Sequence, residues 1–270
     1  MTILIVLLGL LLSHWLFPLT RVRHYALLLA PMHWVRRRFP TSARAVAAAV
    51  VLTALLTALI LTAVAEALLG ALGGFLLALL VFIYTLGPRD LDRDVQALLL
   101  GGNEPRYLKA RRIMRLHRDA DAAEAAAAVF RAAEARWFGI LFWFVLLGIP
   151  GALLYRLTRI SLHEPGLQPA QARALLRLRF ILDWPVLALM VLSAALMGDY
   201  DRVRQAWRRD RPGGQRWRLD AELLDRIAAA TVQPQDLFEQ GVRRGHQMVW
   251  RMLLIWLVVL SLMLMLGWLS

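Results

Sequence analysis

Residues 45–86 read AVAAAVVLTALLTALILTAVAEALLGALGGFLLALLVFIYTL, and across this run Glu66 is the one charged side chain. A bilayer core of about 30 Å is crossed by roughly 20 helical residues. The run is therefore too long for one membrane span and suits two. The break is expected at Glu66–Gly74, where Gly70, Gly73 and Gly74 follow the lone acid, giving a tight helical hairpin. The fold class that follows is all-α, a polytopic helical membrane protein.

Composition agrees. Of the 270 residues 59% are hydrophobic and the mean hydropathy is +0.55, against roughly 45–50% apolar residues in soluble domains. This excludes a disordered chain. The absence of cysteine excludes a disulfide scaffold and any thiolate-held zinc or iron–sulfur centre. The six histidines, His14, His24, His33, His117, His163 and His246, fall singly. No metal and no cofactor is expected.

Two further stretches are strongly apolar. Ile3–Leu19 is interrupted only by the polar Ser13 and His14, and its basic residues Arg21, Arg23 and Arg36–Arg38 follow it. A cleavable signal peptide carries its basic residues first, so the stretch reads as a retained anchor. Val249–Leu269, headed by Arg251, reads as a C-terminal span. Two weaker stretches remain: Phe138–Tyr155 contains Gly139, Gly148, Pro150 and Gly151, and Phe180–Met197 contains Asp183 and Pro185.

Charge decides how the weak pair is read. The 32 basic residues divide as six in Arg21–Arg44, ten in Arg89–Arg136, five in Arg156–Arg179 and eleven in Arg202–Arg251. With four spans, at about 3–19, 45–65, 67–86 and 249–269, all of them lie on one side. The positive-inside rule makes that side cytoplasmic and both termini periplasmic. Six spans would expose the five arginines of Arg156–Arg179, so residues 138–155 and 180–197 are expected as a re-entrant or surface-lying helical hairpin. The organisation expected is a membrane part over 1–86, a cytoplasmic and membrane-associated helical part over 87–248, and a final helix over 249–270.

Within the polar part, Asp90, Asp92 and Asp94 lack the glycine and terminal glutamate offsets of a calcium loop and suit the start of a helix. Tyr107–Arg118 reads as a basic helix fit for anionic lipid. Asp119–Arg136 reads as an alanine-rich helix, whose small side chains permit close helix contacts, running into the aromatic cluster Phe138–Trp143. Tyr200–Trp207 and Leu219–Ala230 read as helices about a turn at Pro212-Gly213-Gly214. Trp207 and Trp217 there, among Arg208, Arg209, Arg211, Arg216 and Arg218, suit lipid headgroups better than a nucleic-acid groove. The partners expected are the bilayer, an anionic lipid or other anionic ligand, and a protein partner, without nucleic acid.

Neither a phosphate-binding Walker loop nor a nucleophile elbow occurs, and Lys109 is the sole lysine. Ionisable residues in apolar surroundings carry an insertion cost of roughly 2.5–3.5 kcal/mol each and need partners or a wet cavity. Arg118, Asp119, Glu134, Arg156, Arg159 and Asp183 are the candidate anion-binding residues. Asp183 is expected to pair with Arg156 or Arg159, as an anion cavity or as a brace between the weak segments.

The order of short motifs resembles a known family. Leu86-Gly87-Pro88-Arg89-Asp90-Leu91 closes the double span. Leu141-Phe142-Trp143 and Gly148-Ile149-Pro150-Gly151-Ala152-Leu153-Leu154-Tyr155-Arg156 follow the alanine-rich helix. Ile181-Leu182-Asp183-Trp184-Pro185-Val186 precedes the polar segment ending in Gln205-Ala206-Trp207. Over nearly its whole length the chain resembles the AmpE family, inner-membrane proteins of β-lactamase induction, which are similar to the CobD/CbiB adenosylcobinamide-phosphate synthases. The resemblance implies a signalling role in cell-wall recycling, beside a muramyl-amidase and a cell-wall-derived ligand. Arg118-Asp119 matches the synthases' Arg-Asp. Their Glu-Asn is replaced by Arg131-Ala132, a later Asp by Ala135, Ala-Pro by Gly139-Ile140, and Asn-Thr by Arg159-Ile160. The resemblance therefore implies the non-cobalamin branch, without catalysis.

Overall fold

The computed structural model describes residues 2–15, 25–86, 91–102, 104–198, 200–208 and 221–266. Every regular element among them is helical. In chain order these are α1 (Thr2–Trp15), α2 (Ala26–Arg38), α3 (Ala43–Thr85), α4 (Leu91–Leu100), α5 (Pro105–Met114) and α6 (Ala122–Ala133). A π-helical turn, Glu134–Phe138, leads into α7 (Gly139–Leu147). Then come α8 (Ile149–Ser161), α9 (Pro169–Met197), α10 (Tyr200–Arg208), α11 (Ala221–Ala230) and α12 (Phe238–Met265). The chain forms two compact units interleaved in sequence: one takes residues 1–88, 139–183 and 269–270, the other 89–138 and 184–268.

In the first unit Ser42 caps α3 by accepting a hydrogen bond from the Ala45 N–H at 3.3 Å. Val46, Ala49, Val50, Thr53, Ala54 and Ala58 then form a buried stripe at helical spacing. The opposite face exposes Leu52, Leu55, Leu56, Leu59 and Ile60, apolar side chains suited to lipid. At Gly70 the backbone leaves the helix, with φ 58° and ψ −144°. A Cβ on Gly73 would lie 2.1 Å from the carbonyl oxygen of Ala65. Residues eight apart in a straight helix are about 12 Å apart, so the helix folds back on itself at Gly70 and α3 is a hairpin of two arms. The break falls within the expected Glu66–Gly74 segment, with Glu66 exposed at the tip.

The same turn recurs. Gly148, between α7 and α8, has φ 68° and ψ −145°, and a Cβ on Gly151 would lie 2.1 Å from the Trp143 carbonyl oxygen. Both turns read Leu-Gly-x-x-Gly, at Leu69–Gly73 and Leu147–Gly151. The first glycine takes a backbone conformation that a side chain would strain, and the second admits the returning arm to a carbonyl of the outgoing one. Farther from the tip Gly139 admits the ring of Tyr155 between α7 and α8, and Phe82 on α3 packs against Phe144 with ring centroids 4.7 Å apart.

The second unit is built on α6. Ala122, Ala125, Ala126, Ala127, Ala128, Val129, Phe130 and Ala133 are all buried, because α6 packs against α11, α12, α4 and α5. Gly241 and Gly245 of α12 sit directly on the backbone of Ala122 and Ala126, the close approach that an alanine surface allows. The later part of α9 lies antiparallel to α12: Ser193 Oγ accepts a hydrogen bond from Trp256 Nε1 at 2.9 Å, and Gly198 abuts Met248.

The structure refines several of these expectations. Three helices among the described residues are long and apolar enough to cross a membrane: Ala43–Thr85, Pro169–Met197 and Phe238–Met263. Phe180–Met197 is thus the end of a 29-residue helix, which begins at Pro169. The polar residues preceding Phe180 continue the same helical ladder, which hydropathy cannot register. The other weak stretch, 138–155, makes a hairpin by itself around Gly148. The N-terminal helix has 14 described residues, about 21 Å at 1.5 Å each, and residues 16–24 lie outside the described set. The basic helix ends at Met114, because Arg115 turns left-handed at φ 56° and ψ 40°. Asp90, the turn at 212–214 and Trp217 lie outside the described residues.

Gly73→Leu and Gly151→Leu should each press a side chain into a backbone carbonyl and cost about 1–3 kcal/mol or prevent folding. Gly74→Ala meets only ordinary contacts at 3.6 Å and should be neutral or stabilise by about 0.5–1 kcal/mol. Thermal unfolding in detergent checks both.

Candidate functional site

The six candidate residues are shared between the units. Arg118, Asp119 and Glu134 belong to the second, and Arg156, Arg159 and Asp183 to the first. Arg118 and Asp119 are exposed on the turn between α5 and α6, where Arg111 donates to the carbonyls of His117 and Arg118. Glu134 is buried at the start of the π-helical turn.

In the first unit Asp183 accepts from Arg159 Nη1 at 3.2 Å and from Arg179 Nε at 2.9 Å. Arg159 also donates to the Tyr155 hydroxyl at 2.5 Å and lies over that ring. Of the two arginines anticipated for Asp183, Arg159 takes the place. Arg156 is 8% exposed, its guanidinium 5.6 Å over the ring of Tyr25 and its Nε without a hydrogen-bond partner. Arg179, one turn before Asp183 on α9, was not singled out in the sequence. Its i,i+4 spacing is the signal that could have found it.

The second unit holds a further charged cluster. Asp92 and Asp94 stand in the first turn of α4, as expected for helix-start acids, and their partners come from distant sequence. Asp94, fully buried, accepts from Arg136 Nη1 at 2.7 Å. Asp92 Oδ1 lies 2.6 Å from His246 Nε2 and accepts from Trp250 Nε1 at 3.1 Å. Trp250 in turn packs edge-on against Trp137 at 5.4 Å. The π-helical turn carries Glu134, Arg136 and Trp137. Such turns reset the phase of a helix and are frequent at functional positions. Among the described residues no group of three or more His, Asp or Glu could hold a metal ion.

One cavity of the second unit is open and basic. Its volume is about 280 Å³, and Arg202, Thr231, Arg244, Gln247 and Arg251 supply its polar lining over Met197, Val203 and Met248. It forms where the end of α9, α10, the end of α11 and α12 meet. Asp236 holds Arg244 by its Nε at 2.9 Å and is fixed by the N–H of Gln233 at 2.7 Å. None of the described lining residues is an acid. The sequence marks Arg251 as the head of the last apolar run; Arg202 on α10 joins Arg244 and Arg251 of α12 only through the packing of the two helices.

Two outcomes follow from the ion pairs. Arg136→Met should strand the buried Asp94 carboxylate and destabilise by about 3–5 kcal/mol, much of it recovered in the Asp94→Leu/Arg136→Met double variant. In a double-mutant cycle read by thermal unfolding, Asp183→Ala should couple to Arg159→Ala and add independently to Arg156→Ala.

Among the described residues Asp92, Asp94 and Asp183 each face a base or a ring N–H, and the basic cavity of the second unit is an open polar feature able to take an anionic group, as is the opening lined by His33, Arg36 and Arg37 in the first. Comparison of the chain with protein-family models, with curated proteins and with solved structures found no match.

Proposed function

We propose that this chain is a bacterial inner-membrane regulatory protein of the AmpE type, which passes the state of cell-wall turnover to β-lactamase induction by binding an anionic ligand at its cytoplasmic face. The observation that carries the reading is the open cavity lined by Arg202, Arg244 and Arg251. A regulator needs a place for its input, and this place is preformed and basic. The β-lactamase link comes from the resemblance of the motif order. The synthase reading draws less support, since Arg118 and Asp119, the residues that match the enzymes, stand exposed on a turn.

The proposed topology has both termini in the periplasm and the basic segments in the cytoplasm. Support comes from within the first unit. Arg36 donates to the carbonyls of Pro165 and Gly166, Gln171 donates to the Pro40 carbonyl at 2.7 Å, and His33 meets Glu164 at 3.2 Å. These contacts support a scheme in which the basic residues of Arg36–Arg44 and of Arg156–Arg179 share one side of the bilayer.

In a native host, deletion should alter β-lactamase induction and wild-type protein should restore it. Unchanged induction on deletion would refute the signalling role. The chain has no cysteine, so single cysteines at Glu164 and Arg204 report topology directly. Both should be shielded from an impermeant thiol reagent in intact cells. Labelling of one alone would mean that α9 separates the two segments and would overturn the one-sided scheme.

A further inference from the structure

We infer that the basic cavity of the second unit is a binding site for the phosphate of a membrane lipid, its acyl chains lying along α9 and α12. The inference rests on the cavity as the anion site of the preceding reading and does not need the link to β-lactamase.

The chemistry of the lining selects a phosphoryl group. Three guanidinium groups, the Thr231 hydroxyl and the Gln247 amide surround about 280 Å³. Guanidinium forks match the oxygens of a phosphate, and each charge-assisted bond is roughly twice as strong as a neutral one. Asp236 grips Arg244 through Nε alone, which orients the side chain and leaves its terminal nitrogens for a ligand. Arg251 has no acidic partner among the described residues.

Position selects a lipid over a soluble anion. The cavity sits where α9 ends at Met197 and where α12 changes from Arg243, Arg244, His246 and Gln247 to the apolar run beyond Arg251. From that level the two helices run side by side, tied by the Trp256–Ser193 hydrogen bond. On the apolar side Leu192, Leu196, Leu254 and Val258 are 55%, 65%, 57% and 57% exposed. A basic pocket directly above exposed leucine and valine presents the two parts of an anionic phospholipid in the right order. Gly198 keeps this mouth tight: a Cβ there would come within 2.5 Å of the Met248 methyl.

The test uses the full chain purified in a neutral detergent. Binding of a short-chain phosphatidylglycerol, of short-chain phosphatidylcholine and of inorganic phosphate is followed by thermal shift and by native mass spectrometry. The expected result is binding of phosphatidylglycerol that weakens about tenfold for each of Arg202→Gln, Arg244→Gln and Arg251→Gln. Arg106→Gln and Arg177→Gln, outside the cavity lining, should leave it unchanged and control for net charge. Folding of each variant is read from its unfolding temperature without lipid. Should Arg244→Gln unfold through loss of the Asp236 contact, Arg251→Gln, whose side chain is exposed, carries the test.

Inorganic phosphate binding as tightly as the anionic lipid would overturn the lipid assignment in favour of a soluble anion. Equal binding of phosphatidylcholine would overturn the role of the arginines, as would lipid binding undiminished in all three variants. Loss of lipid binding in a variant with normal β-lactamase induction would leave the lipid site standing and sink the regulatory reading. The two failures are thereby distinguishable.

Discussion

Hydrocarbon offers no hydrogen-bond partner to a peptide group, so a chain that reverses direction beside lipid must do so with almost no irregular backbone. The Leu-Gly-x-x-Gly turns at Gly70 and Gly148 meet that constraint. In each, one residue leaves the helical conformation, and a second glycine lets the returning arm settle on a carbonyl of the outgoing arm. The arms are then close enough to bury Ala49, Ala54 and Ala58 on one side and to seat Tyr155 against Gly139 on the other. The α3 hairpin packs in turn against α8, α1 and α2.

The charged side chains obey a related constraint. Removing a charge from water costs several kcal/mol, which a well-made pair offsets only in part. Asp94 with Arg136, Asp183 with Arg159 and Arg179, and Arg131 with Asp225 at 2.6 Å are therefore better understood as devices of register than as sources of stability. The Arg136–Asp94, Arg159–Asp183 and Arg131–Asp225 pairs each join two helical elements, whereas Arg179 lies one turn from Asp183 on α9. Arg136 belongs to the π-helical turn, where the helical phase changes, and its bond to Asp94 sets that phase relative to α4.

Against these closed pairs the arginine cavity stands apart. It is shaped by helix ends, its described lining holds three bases, and the two helices α9 and α12 expose leucine and valine farther along. A membrane regulator of the proposed kind receives its signal through a site of this sort. The lipid phosphate proposed as its occupant matches the charge of this lining.

The all-α class, the membrane setting, the fold-back of residues 45–86 near Glu66 and the helix-start role of Asp92 and Asp94 were legible in the sequence, because each depends on local composition and on one or two glycines. The alanine-rich contact surface of α6 was legible for the same reason. The length of α9 was not: hydropathy registers Phe180–Met197 and is blind to the polar turns before it, although backbone hydrogen bonds run through both. The choice of Arg159 over Arg156 by Asp183, the meeting of Asp92 with His246 from 154 positions away, and the assembly of Arg202, Arg244 and Arg251 around one cavity were decided by tertiary structure alone. Their partners come from separate helices, and only the packing of those helices sets which side chains face one another.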